Sequence, residues 1–313
     1  MKEEARLFGK TNSLVGILTS PDGLAATPDV PAVLFLNAGL IHRIGPSRIY
    51  VKIARQLAAA GFPVLRFDLS GIGDSKPRQD NMPFEKSAVD DAQQAMDFLT
   101  KELGVTSFVL MGHCAGAFNS FATASADSRV RGAVLINPEG ANDDWSDFDR
   151  KRKTSRYYEG YYSRSALTSR DRWVKLLTGR ASYSSIIRNV AVNIIWNRIS
   201  TVAFRLRKRF VSNPEADKQT QDTVAALRGI VVRGGLILFV YSEGSTGFMR
   251  VQGLFNHELQ DLNAAGKVKL EIIPKADHIF TLMTMQDDLA EAIGNWMNTT
   301  IRQSKPAADS VMA

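Results

Sequence analysis

The stretch that decides the fold is SFVLMGHCAGAFNSFATASAD, residues 107–127. An apolar run ends in GHCAG at residues 112–116, and a helical pattern of small residues follows it. This pattern predicts a strand, a tight turn and a helix, with one side chain held at the apex of the turn. The side chain is that of Cys114, the single cysteine of the chain. The pattern G-x-C-x-G therefore marks Cys114 as a candidate nucleophile in a strained turn that needs both glycines.

Length and composition are those of an ordinary globular protein. The chain has 313 residues, 44% hydrophobic and 23% charged, enough for one large α/β domain with an insertion. A single cysteine excludes an internal disulfide and a cysteine-cluster metal site, and a free thiol fits a reducing compartment. The N-terminal segment lacks an apolar signal region, and no run of about 18 apolar residues follows. We therefore expect a cytoplasmic protein that binds no metal and no cofactor.

Strand and helix patterns alternate on both sides of residues 107–127. An opening hairpin is predicted over residues 5–19. Continuous apolar runs predict buried parallel strands at residues 32–40, 63–69, 131–140, 234–245 and 267–274. Helical periodicity predicts helices at residues 47–60, 83–103, 215–232 and 247–265, and a closing helix through Ile293 and Trp296. This alternation indicates a mostly parallel sheet covered on both faces, with ligands at the carboxyl ends of the strands.

Four motifs in this order resemble the α/β-hydrolase fold, in particular its serine-aminopeptidase-like branch. They are NAG at residues 37–39, DLSGIGDS at 68–75, GHCAG at 112–116 and ADH at 276–278. Residues 36–75 and the phrase RWVKLLTGR at 172–180 also resemble bacterial hydrolases from exosortase-associated and biosynthetic gene clusters. The resemblance implies a mostly parallel central sheet with helices on both faces and an inserted helical cap.

The same resemblance implies the domain organisation. Residues 1–140 and 231–304 are expected to form the hydrolase core. Residues 141–230 fall where this superfamily inserts its lid, and we expect a basic helical cap there. The tail, residues 305–313, is expected to be disordered.

Two residues fit the central roles of acyl transfer, which needs a nucleophile, a base, an orienting acid and oxyanion donors. Cys114 fits the nucleophile, because a thiolate attacks carbonyl carbons well and the N-terminus of the following helix stabilises it. His278 follows the last strand and fits the base, in the chain order nucleophile, acid, histidine. The side chain of His113 should point away from Cys114 and pack or hydrogen-bond locally.

Three carboxylates are candidates for the acid. In the resembled family the acid lies a few residues beyond the strand that ends here at Tyr241, and the usual aspartate position is occupied by Ser245. Glu243 is the nearest carboxylate and is favoured, while Glu139 and Asp143 after the preceding strand are the alternatives. A Cys–His pair can also act with a weak or missing third member, because a thiol needs less activation than a hydroxyl.

Backbone N–H groups are expected to form the oxyanion hole. One belongs to Ala115, directly after the nucleophile, and the other belongs to the turn that contains Gly39 and Leu40. Side chains that follow this turn, and aromatic side chains of the cap, are candidates for contacts with the substrate. These candidates are His42, Arg43, Tyr161 and Trp173.

The net charge of +7 is concentrated in the expected cap. Residues 150–210 contain sixteen lysines and arginines against two acids, a net charge of +14, which leaves −7 for the remainder. Such a block favours an anionic partner, and three candidates stay open: an acyl carrier protein, coenzyme A, or an anionic membrane surface. Nucleic acid is not expected, because no nucleic-acid-binding motif accompanies the charge.

These features predict an enzyme that hydrolyses or transfers an acyl group from an ester or thioester through a covalent intermediate on Cys114. A biosynthetic thioesterase or acyltransferase is the preferred form, because the acyl-cysteine thioester exchanges readily with thioester substrates. Poly-hydroxyalkanoate synthases and dienelactone hydrolases are similar in placing a cysteine at this turn. The alternative is a catalytically inactive hydrolase fold that binds partners through its basic cap.

Overall fold

The structure, a computed structural model, describes residues 1–23, 30–138, 214–243, 245, 247–248 and 259–304. The strands are β1 (Lys2–Phe8), β2 (Leu14–Ser20), β3 (Ala32–Leu36), β4 (Val64–Asp68), β5 (Phe108–His113), β6 (Val130–Ile136), β7 (Leu236–Ser242) and β8 (Val268–Ile273). The helices are α1 (Ile49–Ala59), α2 (Phe84–Leu103), α3 (Ala115–Ala126), α4 (Pro214–Val232), α5 (Gln260–Ala264) and α6 (Met283–Trp296). A 3₁₀ turn, Pro46–Arg48, precedes α1, and a π-helical turn, Met297–Ile301, follows α6.

One eight-stranded sheet runs through these residues in the order β1-β2-β4-β3-β5-β6-β7-β8. The hairpin β1–β2 and the pair β2–β4 are antiparallel, and every other neighbouring pair is parallel. The predicted opening hairpin and the predicted mostly parallel sheet are both confirmed. Because the inner strands are parallel, their carboxyl ends meet at one edge of the sheet, which is where such folds bind ligands.

Helices cover both faces of the sheet, and the alternation of side chains along β3 shows why. Leu34 and Leu36 pack on one face with residues of α2, α3 and α4. Val33 and Phe35 pack on the other face with residues of α1 and α6. A strand that is apolar on both sides must be covered twice, and this explains the continuous apolar runs in the sequence.

The chain divides into two compact units. One comprises Met1–Asn142 and Val224–Ala313, and the other Asp143–Thr223. The predicted division into core, cap and tail stays a prediction, because residues 139–213 and 305–313 lie outside the described residues. Of the helix predicted over 247–265, the described residues include the short α5 at its end. No helix among the described residues is long and apolar enough to cross a membrane.

Two glycines allow the sharp turn between β5 and α3. A Cβ atom on Gly112 would overlap the carbonyl group of Gly116, four residues later in the chain. A Cβ atom on Gly116 would lie 2.5 Å from the carbonyl oxygen of Leu36 and 2.6 Å from that of Asn37. Neither position can hold a larger residue unless the backbone moves, so α3 starts directly against the end of β3.

Replacing Gly116 by alanine should lower the free energy of unfolding by about 2 kcal/mol or more, because the added Cβ meets backbone that cannot yield. Gly229→Ala is the matched control, since it lies inside α4 and a Cβ there meets no atom within 4 Å. That control should raise the stability by about 0.5–1 kcal/mol through helix propensity. Urea unfolding measures both values, and a Gly116→Ala variant as stable as the wild type would contradict the packing of the turn.

Candidate active site

Cys114 occupies the apex of the turn between β5 and α3. Its backbone has a positive φ of 54° with ψ −116°, and the residue forms no disulfide and is partly exposed. The N–H of Cys114 donates to the carbonyl oxygen of Ile136 at 2.9 Å, and its carbonyl oxygen accepts the N–H of Ala117 at 3.0 Å. Holding a residue that has a Cβ in a sparsely populated backbone conformation costs about 1–3 kcal/mol of folding free energy. The surrounding packing must therefore hold Cys114 in this conformation. The predicted strand, turn and helix are confirmed.

The turn after β3 presents backbone N–H groups near the same edge of the sheet. Asn37 shapes it from a buried position: its Nδ2 donates to the carbonyl oxygen of Ile41 at 3.0 Å, and its Oδ1 accepts the N–H of Leu69 at 2.8 Å. Within the described part of the chain, the N–H groups of Gly39 and Leu40 donate no hydrogen bond. They therefore remain candidates for the oxyanion hole.

Ala115 is the other predicted oxyanion donor. It is the first residue of α3, and the first N–H groups of a helix have no partner inside it. An acyl oxygen beside Cys114 would meet this N–H together with the positive end of the helix dipole. The role of all three residues, Ala115, Gly39 and Leu40, stays a prediction.

A buried ion pair supports the turn after β3. The carboxylate of Asp68, which is 0% exposed, accepts the backbone N–H of Arg43 at 2.6 Å and pairs with its guanidinium. The guanidinium also contacts Asp74 at 2.6 Å. Burial alone would lower the pKa of Arg43, but its hydrogen bonds and charge interactions with Asp74 and Asp68 raise it. A Cβ on Gly73 would collide with the Asp68 carboxylate, which explains the glycine there.

An open pocket of about 580 Å³ lies beside this ion pair. Its lining residues are Leu40, Ile41, His42, Arg43, Gly73 and Asp74. His42, a predicted substrate contact, is exposed at its wall. Arg43, also a predicted substrate contact, is already engaged by two carboxylates, so the structure gives it a supporting role that the sequence did not indicate. Substrate contacts of both residues stay predictions.

Tyr50 on α1 joins the ends of β3 and β5, directly before the turn after β3 and the turn that carries Cys114. Its hydroxyl donates to the carbonyl oxygen of Leu36 at 3.1 Å and accepts the backbone N–H of His113 at 2.8 Å. Burial raises the pKa of Tyr50, so the hydroxyl keeps its proton and can donate. In the sequence this tyrosine was only part of an apolar helix face, and no local signal indicated the role.

The loop after β8 brings His278 to the turn between β5 and α3. Nε2 of His113 lies 2.6 Å from the carbonyl oxygen of His278, and the two imidazole rings have centroids 4.6 Å apart at an interplanar angle of 59°. Since a carbonyl oxygen only accepts, Nε2 of His113 carries a proton. Asn137, directly after β6, donates Nδ2 to the same oxygen at 2.9 Å. The predicted base therefore lies beside the residue that precedes the predicted nucleophile.

Glu243, the favoured acid, is exposed just beyond β7. Its Oε2 accepts the backbone N–H of Lys275 at 2.7 Å, so it holds the loop that leads to His278. Ser245 is buried, and its N–H donates to the carbonyl oxygen of Ser242 at 2.9 Å. The catalytic role of Glu243 stays a prediction. The alternative acids Glu139 and Asp143 and the cap residues Tyr161 and Trp173 lie outside the described residues.

Known proteins share this architecture. A sequence profile of the α/β hydrolase fold matches residues 31–208. Esterase EstD of Thermotoga maritima is 31% identical over 130 residues, 41% of this chain and 31% of that protein, so the match spans about a third of the esterase.

Two solved structures also share the fold at low identity. A Pyrococcus furiosus esterase is 12% identical, with a TM-score of 0.56 over 95% of this chain and 91% of that chain. An α/β serine hydrolase homologue of Coxiella burnetii is 14% identical, with a TM-score of 0.52 over 94% of this chain and 97% of that chain. The predicted α/β-hydrolase fold is confirmed, whereas the branch of the superfamily stays a prediction.

Arg43→Met should lower the free energy of unfolding by about 3 kcal/mol, because it leaves the buried Asp68 carboxylate without its cation. Arg55→Met is the matched control: it removes an arginine that also pairs with a carboxylate, that of Glu3, but its side chain is 47% exposed. That control should lower the free energy of unfolding by about 1 kcal/mol or less. Urea unfolding compares the two variants, and equal losses would contradict the structural role of the buried pair.

Proposed function

Since the chain belongs to the α/β hydrolase fold family, we propose that it is an enzyme that cleaves or transfers the acyl group of an ester or thioester through Cys114. One observation carries the proposal: Cys114 stands in a strained conformation with positive φ at the start of α3, with His278 packed against the residue before it. A side chain presented in this way is typical of a nucleophile in this fold. The similarity to esterases supports a carboxylic ester or a related acyl donor.

The first half-reaction forms an acyl-enzyme. His278 takes the proton of the Cys114 thiol, and the sulfur attacks the carbonyl carbon of the substrate. The carbonyl oxygen becomes negative and is stabilised by the N–H groups of Ala115 and of the turn at Gly39 and Leu40. The bond to the leaving group breaks, and the His278 imidazolium returns the proton to the departing alkoxide or thiolate.

The second half-reaction releases the acyl group. An acceptor, either water, an alcohol or an amine, loses a proton to His278 as it attacks the carbonyl carbon of the Cys114 thioester. The carbon–sulfur bond breaks, and His278 returns the proton to the sulfur of Cys114. With water the product is a carboxylic acid, and with an alcohol or an amine it is an ester or an amide.

The Coxiella burnetii protein is described as a serine hydrolase homologue, whereas this chain carries a cysteine at the turn. The cysteine favours a thioester substrate. A thiol and an acyl thioester exchange with little change in bond energy, and a thiolate needs less help from a third residue than a hydroxyl does. The exposed Glu243, bound to backbone, is consistent with a site that depends little on an acid. The basic block at residues 150–210 further supports an anionic acyl donor, such as acyl-coenzyme A or an acylated carrier protein.

Intact-mass spectrometry tests the proposal. Wild-type protein incubated with acyl-coenzyme A of several chain lengths, or with the matching p-nitrophenyl esters, should gain one acyl group on Cys114. Cys114→Ala should gain none, and His278→Ala should acylate at least about 100-fold more slowly because it lacks the base. Cys114→Ser keeps the shape of the turn and shows which donors require sulfur.

Two outcomes would contradict the proposal: a wild type that is never acylated, or equal labelling of the wild type and Cys114→Ala. A second measurement then identifies the non-catalytic alternative. If iodoacetamide alkylates Cys114 in the folded protein no faster than in the denatured chain, the thiol is not activated, and a binding role of the fold is favoured.

A further inference from the structure

The main-chain carbonyl of His278 is held by two side chains from the strand ends that flank the nucleophile. His113 ends β5, and its Nε2 lies 2.6 Å from this oxygen. Asn137 follows β6, and its Nδ2 lies 2.9 Å from the same oxygen. We infer that His113 and Asn137 are positioning residues, which fix the base beside Cys114 through its backbone; this inference rests on the function proposed above.

The hydrogen bonds close a ring that contains both the nucleophile and the base. The N–H of Cys114 donates to the carbonyl oxygen of Ile136, whose chain neighbour is Asn137. Asn137 donates to His278, and His278 accepts from His113, whose chain neighbour is Cys114. A displacement of His278 relative to Cys114 must therefore break or stretch at least one of these bonds. The ring connects three separate segments of the sequence, at residues 113–114, 136–137 and 278.

Both donors are themselves fixed. His113 is 3% exposed and packs against the rings of His278 and Phe280, with centroid distances of 4.6 and 6.3 Å. Asn137 is 0% exposed, with a left-handed φ of 44°. Its Oδ1 accepts the N–H of Ser242 at 2.8 Å, so the amide is oriented from β7 while its nitrogen faces His278. A buried donor oriented in this way loses little entropy when it holds its acceptor.

The segment that carries His278 needs such anchors. It lies in a loop between β8 and α6, and two of its residues, Lys275 and Phe280, have left-handed backbone angles with φ of 56° and 52°. The carboxylate of Glu243 holds the start of the segment at Lys275, and Gln286 donates to the carbonyl oxygen of Phe280 at 3.0 Å near its end. His113 and Asn137 hold the centre. Because a shift of about 1 Å at a reacting group can cost about 100-fold in rate, this anchoring bears directly on activity.

Single substitutions distinguish the role of His113 and Asn137 as hydrogen-bond donors from their role in packing. His113→Phe keeps an aromatic ring but removes the Nε2 donor, and His113→Gln restores a donor on a neutral side chain. Asn137→Asp keeps an acceptor for Ser242 and tolerates the left-handed backbone, but it places an oxygen against the carbonyl of His278. Arg131→Met is the matched control, because Arg131 also donates to main-chain oxygens, those of Ile301 and Ser304, from the opposite end of β6.

Three measurements are made on each full-length variant: the rate of Cys114 alkylation by iodoacetamide across pH, kcat and KM for a chromogenic ester, and the urea midpoint. His113→Phe and Asn137→Asp should lower kcat by about tenfold or more with little change in KM, and should slow alkylation at neutral pH. His113→Gln should recover a large part of kcat. Arg131→Met should change neither kcat nor the rate of Cys114 alkylation, even if the urea midpoint of this variant falls.

The outcomes distinguish this inference from the proposed function. If the wild type is acylated and both variants keep its kcat and its alkylation profile, the positioning role is refuted and the proposed function stands. If the variants lose only stability, as is expected of Arg131→Met, their role is purely structural and the inference fails. If the wild type is not acylated, the proposed function fails, and the alkylation profile still decides whether His113 and Asn137 set the pairing of His278 with Cys114.

Discussion

The close approach of α3 to the end of β3 is the constraint on which the site depends. Gly116 lies against the carbonyl oxygens of Leu36 and Asn37, and this contact forces the chain into a sharp turn that holds Cys114 at a positive φ. The same contact brings the first N–H of α3 next to the turn after β3. The proposed nucleophile and the proposed oxyanion donors are thus placed by one packing contact between backbones.

Polar side chains at the carboxyl ends of the strands stabilise the loops around this turn. Asn37 and Asp68 hold the turn after β3, and Tyr50 connects the end of β3 to the end of β5. Asn137 and His113 hold the loop of His278. Each of these side chains is buried and bonds to backbone, so its removal leaves an unpaired group away from water. The loops around Cys114 are therefore held by buried hydrogen bonds as well as by packing.

Sequence patterns were sufficient for the strands, for most helices and for the two residues of the proposed pair. Apolar runs identified β3 to β8, and G-x-C-x-G identified the turn, because each depends on neighbours in the chain. Sequence patterns did not indicate the roles of Tyr50 and Asn137, because these side chains form hydrogen bonds with residues far away in the chain. The sequence also did not indicate that the guanidinium of Arg43, a predicted substrate contact, is held by the buried carboxylate of Asp68.

The sequence by itself determined the order of strands and helices along the chain and the strained turn that carries Cys114, because short-range sterics and burial set these. Only the tertiary structure decided which side chains support the site. Strand β6 had to lie beside β5 before Asn137 could reach the carbonyl oxygen of His278, and the loop after β8 had to fold back before His113 could do the same. Such contacts join residues more than 140 positions apart, a separation across which local patterns carry no information.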